Sequence, residues 1–219
     1  MTSTSSLELE LASLLCARLC HDLAGPVGAV NNGAELLSEG GAESMEDARD
    51  LISSCASQAV RRLRFFRLAY GSNDGSMDWA DAMQTSQAML ADSKITYAWQ
   101  GYDDRAERPE IAGAGKLALN MVLLAANFMP RGGTLDFIAA GEANRPNITI
   151  RGEGPMVILD DMALSLLASG CRRDGGVVKE LNARFVQPFL TGLLAADFGL
   201  AVIAEAAGEG RFEVSTTAL

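Results

Sequence analysis

Histidine is almost missing from this chain: of 219 residues, one, His21, is a histidine. Cysteine is scarce as well. Cys16, Cys20, Cys55 and Cys171 are too few and too scattered for a disulfide scaffold. Cys16 and Cys20 stand one helical turn apart beside His21, which raises the question of a metal. No fourth ligand stands at zinc-site spacing, however, and cysteine also serves as a small core-filling residue. Positive charge is in deficit, with 18 Lys and Arg against 28 Asp and Glu and a net charge of −10. That balance argues against nucleic acid or an anionic membrane surface as the main partner. There is no signal peptide and no apolar run long enough to span a bilayer, so a cytoplasmic protein is expected. In such a protein the glycosylation spacing of Asn147-Ile148-Thr149 carries no meaning. No internal repeat or low-complexity stretch appears.

What is present is apolar content, 48% of the chain, enough at this length for one large domain or two small ones. The first thirty-odd residues read as one amphipathic helix. Ser5 with Glu8 fits a capping box, and Leu7, Leu11, Leu15, Leu19, Leu23, Val27, Val30, Ala34 and Leu37 recur at spacings of three or four. A lone histidine is often a satisfied core residue, but the helical phase argues otherwise here. At about 100° per residue, His21 lies about 200° from both Leu19 and Leu23, so its ring should face water. Asp22 follows at once. Pro26, one turn on, cannot donate to the Asp22 carbonyl and should bend or loosen the helix beside His21.

The helix is predicted to stop at Ser38-Glu39-Gly40-Gly41, and a second, capped by Ser44, to run to Tyr70 before Gly71. Two long helices on a short loop make an antiparallel hairpin with half-covered apolar stripes. A second copy would cover them in a four-helix bundle, so a homodimer is expected. Arg61, Arg62, Arg64 and Arg67 crowd the end of the second helix. They suit its negative terminus, or they form a docking surface for an acidic or phosphorylated partner. The polar stretch 72–76 reads as a linker between units at 1–71 and 77–219. Beyond it, helices are predicted over 77–92, 115–128, 160–168, 178–185 and 193–207. Strands are predicted over 94–100, 134–140, 147–151 and 211–216. The pattern is α+β, with helices layered on one mixed or antiparallel sheet.

The string Cys20-His21-Asp22-Leu23-Ala24-Gly25-Pro26-Val27 through Asn31-Asn32-Gly33-Ala34-Glu35-Leu36-Leu37 resembles the phosphoacceptor box of two-component histidine kinases. It looks most like that of the ChpT-type histidine phosphotransferases. Residues 77–219 are similar in layout to the ATP-binding domain of those kinases, with the chemistry missing. In the stretch Leu119 to Gly133, the family's metal-binding asparagine falls on Leu124, which offers no oxygen to Mg²⁺. In Thr149-Ile150-Arg151-Gly152-Glu153-Gly154, the aspartate that reads adenine is replaced by Ile150. The glycine-rich lid reduces to Gly192 and Phe198-Gly199-Leu200. The resemblance therefore implies a helical hairpin forming a dimeric four-helix bundle, followed by a histidine-kinase-ATPase-like α/β sandwich that uses no ATP.

It implies that His21 accepts a phosphoryl group from the receiver-domain aspartate of a hybrid kinase and passes it to response regulators. Asp22 would hold the ring, and the receiver would supply Mg²⁺, so no metal or cofactor is expected on this chain. Docking should use Arg18, Asp22, Gly25 and Asn32 around His21, with Arg61 and Arg64 as further contacts. The second domain would stabilise the dimer and help recognise partners. Two rival readings stand beside this one: an unorthodox ATP-dependent autokinase, and a non-catalytic module that binds kinases or regulators.

Overall fold

The computed structural model describes residues 4–39, 42–71, 77–100, 112–142 and 145–219. The predicted linker at 72–76 and the glycine break at 40–41 lie outside them. Two long helices come first, α1 (Thr4–Glu39) and α2 (Ala42–Tyr70). Both begin ahead of their predicted serine caps, so Ser5 and Ser44 fall inside the helices. Pro26 is accommodated within α1 without ending it.

The predicted single stripe on α1 needs correction. Val27 is 57% exposed, while Pro26 and Gly33 are buried. Successive steps of four residues drift by about 40° each around a helix, so Val27 lies about 200° from Leu7. The row is a spiral. Near its N-terminal end Leu11 packs on Leu166, Leu181 and Phe189 of the α/β unit, joined by Leu14 from outside the row. Farther along, Leu19, Leu23, Pro26, Val30 and Gly33 are buried or half-buried, and Gly33 lies against Ala48 and Ile52 of α2. Val27 on α1 and Leu51, Val60 and Leu63 on α2 are left uncovered, at 37% to 66% exposure.

The α/β unit follows as α3 (Trp79–Leu90), β1 (Ile95–Gln100), α4 (Ala112–Asn127), β2 (Gly133–Glu142) and β3 (Arg145–Glu153). Then come α5 (Asp161–Cys171), a 3₁₀ turn at Gly175–Glu180, α6 (Val186–Ala196), β4 (Leu200–Ala206) and β5 (Arg211–Ala218). Asp78 caps α3 reciprocally with Asp81, each side chain taking the other's backbone N–H. The five strands order as β1-β2-β3-β5-β4. β1 and β2 are parallel and joined through α4, and the other pairings are antiparallel. Along β3, burial alternates strictly, with Ile148 and Ile150 inward and Arg151 outward.

Two predicted helices are corrected here. The 178–185 segment holds only the end of the 3₁₀ turn, and the next α-helix starts at Val186. The predicted last helix, 193–207, is the end of α6 followed by β4. Gly199 stands at φ +66°, a conformation that ends a helix and that residues with a Cβ adopt at a cost. Beyond it Leu200 and Val202 point inward against the core while β4 pairs with β5. The apolar composition of 193–196 thus continues from the end of a helix into a strand.

One core spans both parts of the chain. Phe65, Phe66 and Ala69 near the end of α2 are buried in the same cluster as Leu117, Met121 and Leu124 of α4 and Phe137 of β2. The α/β unit is thereby seated against the hairpin, close to His21. Among the described residues, no helix is long and apolar enough to cross a membrane.

Candidate functional site

His21 projects from α1 with 84% of its side chain exposed, as its helical phase predicts. Its Nδ1 lies 3.1 Å from Oδ1 of Asp22. A carboxylate only accepts hydrogen bonds, so a neutral ring in this pose carries its proton on Nδ1 and keeps the lone pair on Nε2. Asp22 is itself held. Arg18 Nε donates to Asp22 Oδ2 at 2.6 Å, and both side chains are more than four-fifths shielded from solvent. A charge-assisted pair one helical turn apart and largely desolvated fixes the carboxylate that the ring leans on.

Arg18 reaches further, donating from Nη1 to the Arg184 carbonyl of the α/β unit at 3.2 Å. Arg184 in turn meets Oδ2 of Asp160 at 3.1 Å and lies over the Phe185 ring at 4.9 Å. Between the two units opens a cavity of about 510 Å³. Arg18, His21 and Asp22 form one wall, and Leu124, Phe128 and Phe185 contribute to the other. Tyr70 borders the same region. Burial pushes its hydroxyl well above the ordinary phenol range, with Arg18 opposing and Asp22 adding to the shift, so it stays neutral.

The other predicted contact residues divide. Gly25 and Asn32 are exposed, and open space surrounds Gly25 and Gly28 where a Cβ would stand. Arg64 is exposed. Arg61 is engaged within the chain, its Nη2 donating to both carboxylate oxygens of Asp92 at 2.7 and 2.6 Å. Arg18 is likewise engaged, on Asp22 and Arg184. Arg62 Nη1 donates to the backbone carbonyl of Asp22 at 2.7 Å. Sequence reasoning placed Arg62 in a basic cluster and missed this bond, although Pro26 had already marked the Asp22 carbonyl as lacking a donor.

The two positions that the resemblance sets against a kinase's nucleotide residues belong to the core here. Leu124 and Ile150 are almost fully buried. A Cβ on Gly152 would come within 2.1 Å of the Phe212 ring, so an aromatic side chain occupies the space beside the retained glycine. Asn120 is buried and donates to the carbonyls of Ala69 and Lys116, tying α4 to α2. Among the described residues, no three or more His, Cys, Asp or Glu side chains gather where they could hold a metal ion.

A five-stranded α/β unit set against a helical hairpin, with an exposed histidine beside an ordered carboxylate, fits a histidine phosphotransferase. Residues 79–210 match the family model described as the histidine phosphotransferase C-terminal domain. The chain is 36% identical to the protein phosphotransferase ChpT of Brucella abortus (strain 2308), over 92% of each chain. A solved bacterial phosphotransferase superposes with a TM-score of 0.80 at 34% identity, covering 95% of this chain and 96% of that one. The chain belongs to the ChpT-type histidine phosphotransferase family. Its activity is histidine phosphotransfer within a two-component phosphorelay, without dependence on ATP.

Proposed function

We propose that His21 is the phosphoacceptor and Asp22 the residue that orients it. The observation that carries this reading is the exposed ring with Nδ1 against Asp22, which leaves Nε2 available at the protein surface. The Nε2 lone pair attacks the phosphorus of a receiver-domain aspartyl phosphate. The N–P bond forms as the P–O bond to the carboxylate breaks, and that carboxylate leaves with the electron pair. The proton stays on Nδ1, and the positive charge gained by the ring is balanced by Asp22. Onward transfer reverses the roles, with a second receiver's carboxylate attacking phosphorus and the imidazole leaving. Such a transfer depends on positioning and charge neutralisation. The Mg²⁺ that neutralises phosphoryl charge comes with the receiver.

The donor on this reading is the receiver of a hybrid kinase and the acceptors are response regulators, all in the cytoplasm. Gly25, Asn32 and Arg64 contact the receiver directly, while Arg18 and Arg61 act through the carboxylates they hold. The chain divides into a hairpin unit, 1–71, and an α/β unit, 77–219, with 72–76 between them. Two copies pair through the hairpin, because Val27, Val60 and Leu63 remain more than half exposed in one chain.

The test mixes the protein with a receiver domain phosphorylated from radiolabelled acetyl phosphate in Mg²⁺, beside His21→Ala and an ATP-only control. Acid-labile, base-stable label on the wild type and none on His21→Ala is expected. Label that survives His21→Ala would overturn the assignment.

A further inference from the structure

Within an α-helix each carbonyl accepts the N–H four residues on. For Asp22 that residue is Pro26, which has no N–H. The helix nonetheless continues through this turn, and the orphaned carbonyl accepts from Nη1 of Arg62 at 2.7 Å. A side chain of α2 thus supplies the donor that α1 lacks, on the residue that holds the phosphoacceptor. Asp22 is then gripped at two points. Arg62 takes its carbonyl, Arg18 takes Oδ2, and Oδ1 is left for His21 Nδ1. We infer that Arg62 is a positioning residue for phosphotransfer, standing in for the hydrogen bond removed by Pro26 and so fixing the Asp22 carboxylate on the His21 ring.

The inference rests on His21 being the acceptor, and it ties two otherwise unconnected features. Pro26 removes a backbone donor beside His21, and Arg62 supplies one from a neighbouring helix. A guanidinium suits the task because it reaches a carbonyl across the helix pair while staying charged at any cellular pH. If Arg62 acted only as a docking contact or a packing element, its importance would not depend on residue 26. If it substitutes for the missing N–H, giving the helix that N–H back should make it dispensable.

The experiment is a double-mutant cycle of Arg62→Met and Pro26→Ala in the full chain, each variant checked for fold by circular dichroism. Two quantities are measured: the transfer rate from an acetyl-phosphate-labelled receiver domain, and the ring ¹⁵N shifts of His21. With one histidine in the chain, the ring signals need no assignment. Arg62→Met alone should slow transfer about tenfold and move the ring nitrogens away from the Nδ1–H form. In the Pro26→Ala background the same change should cost less than about twofold and leave the ring signals in place. Equal losses in both backgrounds, or unchanged ring signals in Arg62→Met, would refute the inference. The ring measurement uses no receiver, so it stands even if the acceptor assignment fails in the labelling assay.

Discussion

The hairpin and the α/β unit put similar proportions of apolar residue to opposite uses. In the α/β unit, Leu117, Leu119, Met121, Leu124, Phe137, Ile148 and Ile150 are buried to within 1% of complete. In the hairpin, Leu9, Val27, Val60 and Leu63 are more than half exposed, and the charged side chains Arg18, Asp22 and Arg62 are ordered by one another. One region is finished as a folded object. The other is finished only in its chemistry and leaves apolar surface for further contacts. The comparison teaches that the α/β unit spends its apolar residues on packing, while the hairpin keeps the exposed His21 on a helix whose other side is packed.

The contrast is sharpest in stability. Phe137→Ala, which empties a fully buried site stacked at 3.8 Å on Trp99, should lower unfolding free energy by about 3–5 kcal/mol in urea titrations. His21→Ala should change it by less than about 0.5 kcal/mol, since the ring is mostly in water. Equal costs would break the division between a structural and a chemical region.

Next in size is Asp22→Asn. The amide keeps the shape but no longer compels a proton onto Nδ1, so transfer should fall about 100-fold, read from labelling time courses. Leu63→Glu probes the unfinished surface. It should leave the helical signal intact and shift the sedimentation of the protein towards the monomer, and an unchanged mass would remove the case for pairing through this face.

The smallest effect lies at the joint between the regions. Lys116 of α4 donates to the Gly71 carbonyl at 2.7 Å. Burial holds its ammonium below the ordinary 10.5, with Asp197 partly opposing. A lowered folded-state value means that the unfolded chain binds the proton more tightly, so charged Lys116 costs stability. That cost is relieved as pH rises from the lowered value towards 10.5. Urea midpoints should show this rise in the wild type and lose it in Lys116→Met.

Much of the candidate site could be read from local pattern. The His21-Asp22 pair, its phase relative to Leu19 and Leu23, and Pro26 four residues beyond Asp22 all act within two helical turns, where sequence spacing is spatial spacing. The apolar character of Leu124 and Ile150 was equally legible, and both are buried in the core. The strand at Leu200–Ala206 was not. Ala and Leu suit a helix and the interior face of a strand alike, and the choice was made by pairing with Arg211–Ala218 after the turn at Gly199.

By itself, then, the sequence determined that the one histidine faces water, that its neighbour is a carboxylate, and that Leu124 and Ile150 offer no oxygen or charge, since these depend on residue identity and helical phase. The tertiary structure decided what each arginine does. Arg18, Arg61 and Arg62 look interchangeable along the chain, yet one holds the Asp22 carboxylate, one braces α2 to Asp92, and one caps the carbonyl that Pro26 leaves open. A long cationic side chain reaches several acceptors from one position, and only the arrangement of neighbouring helices selects among them.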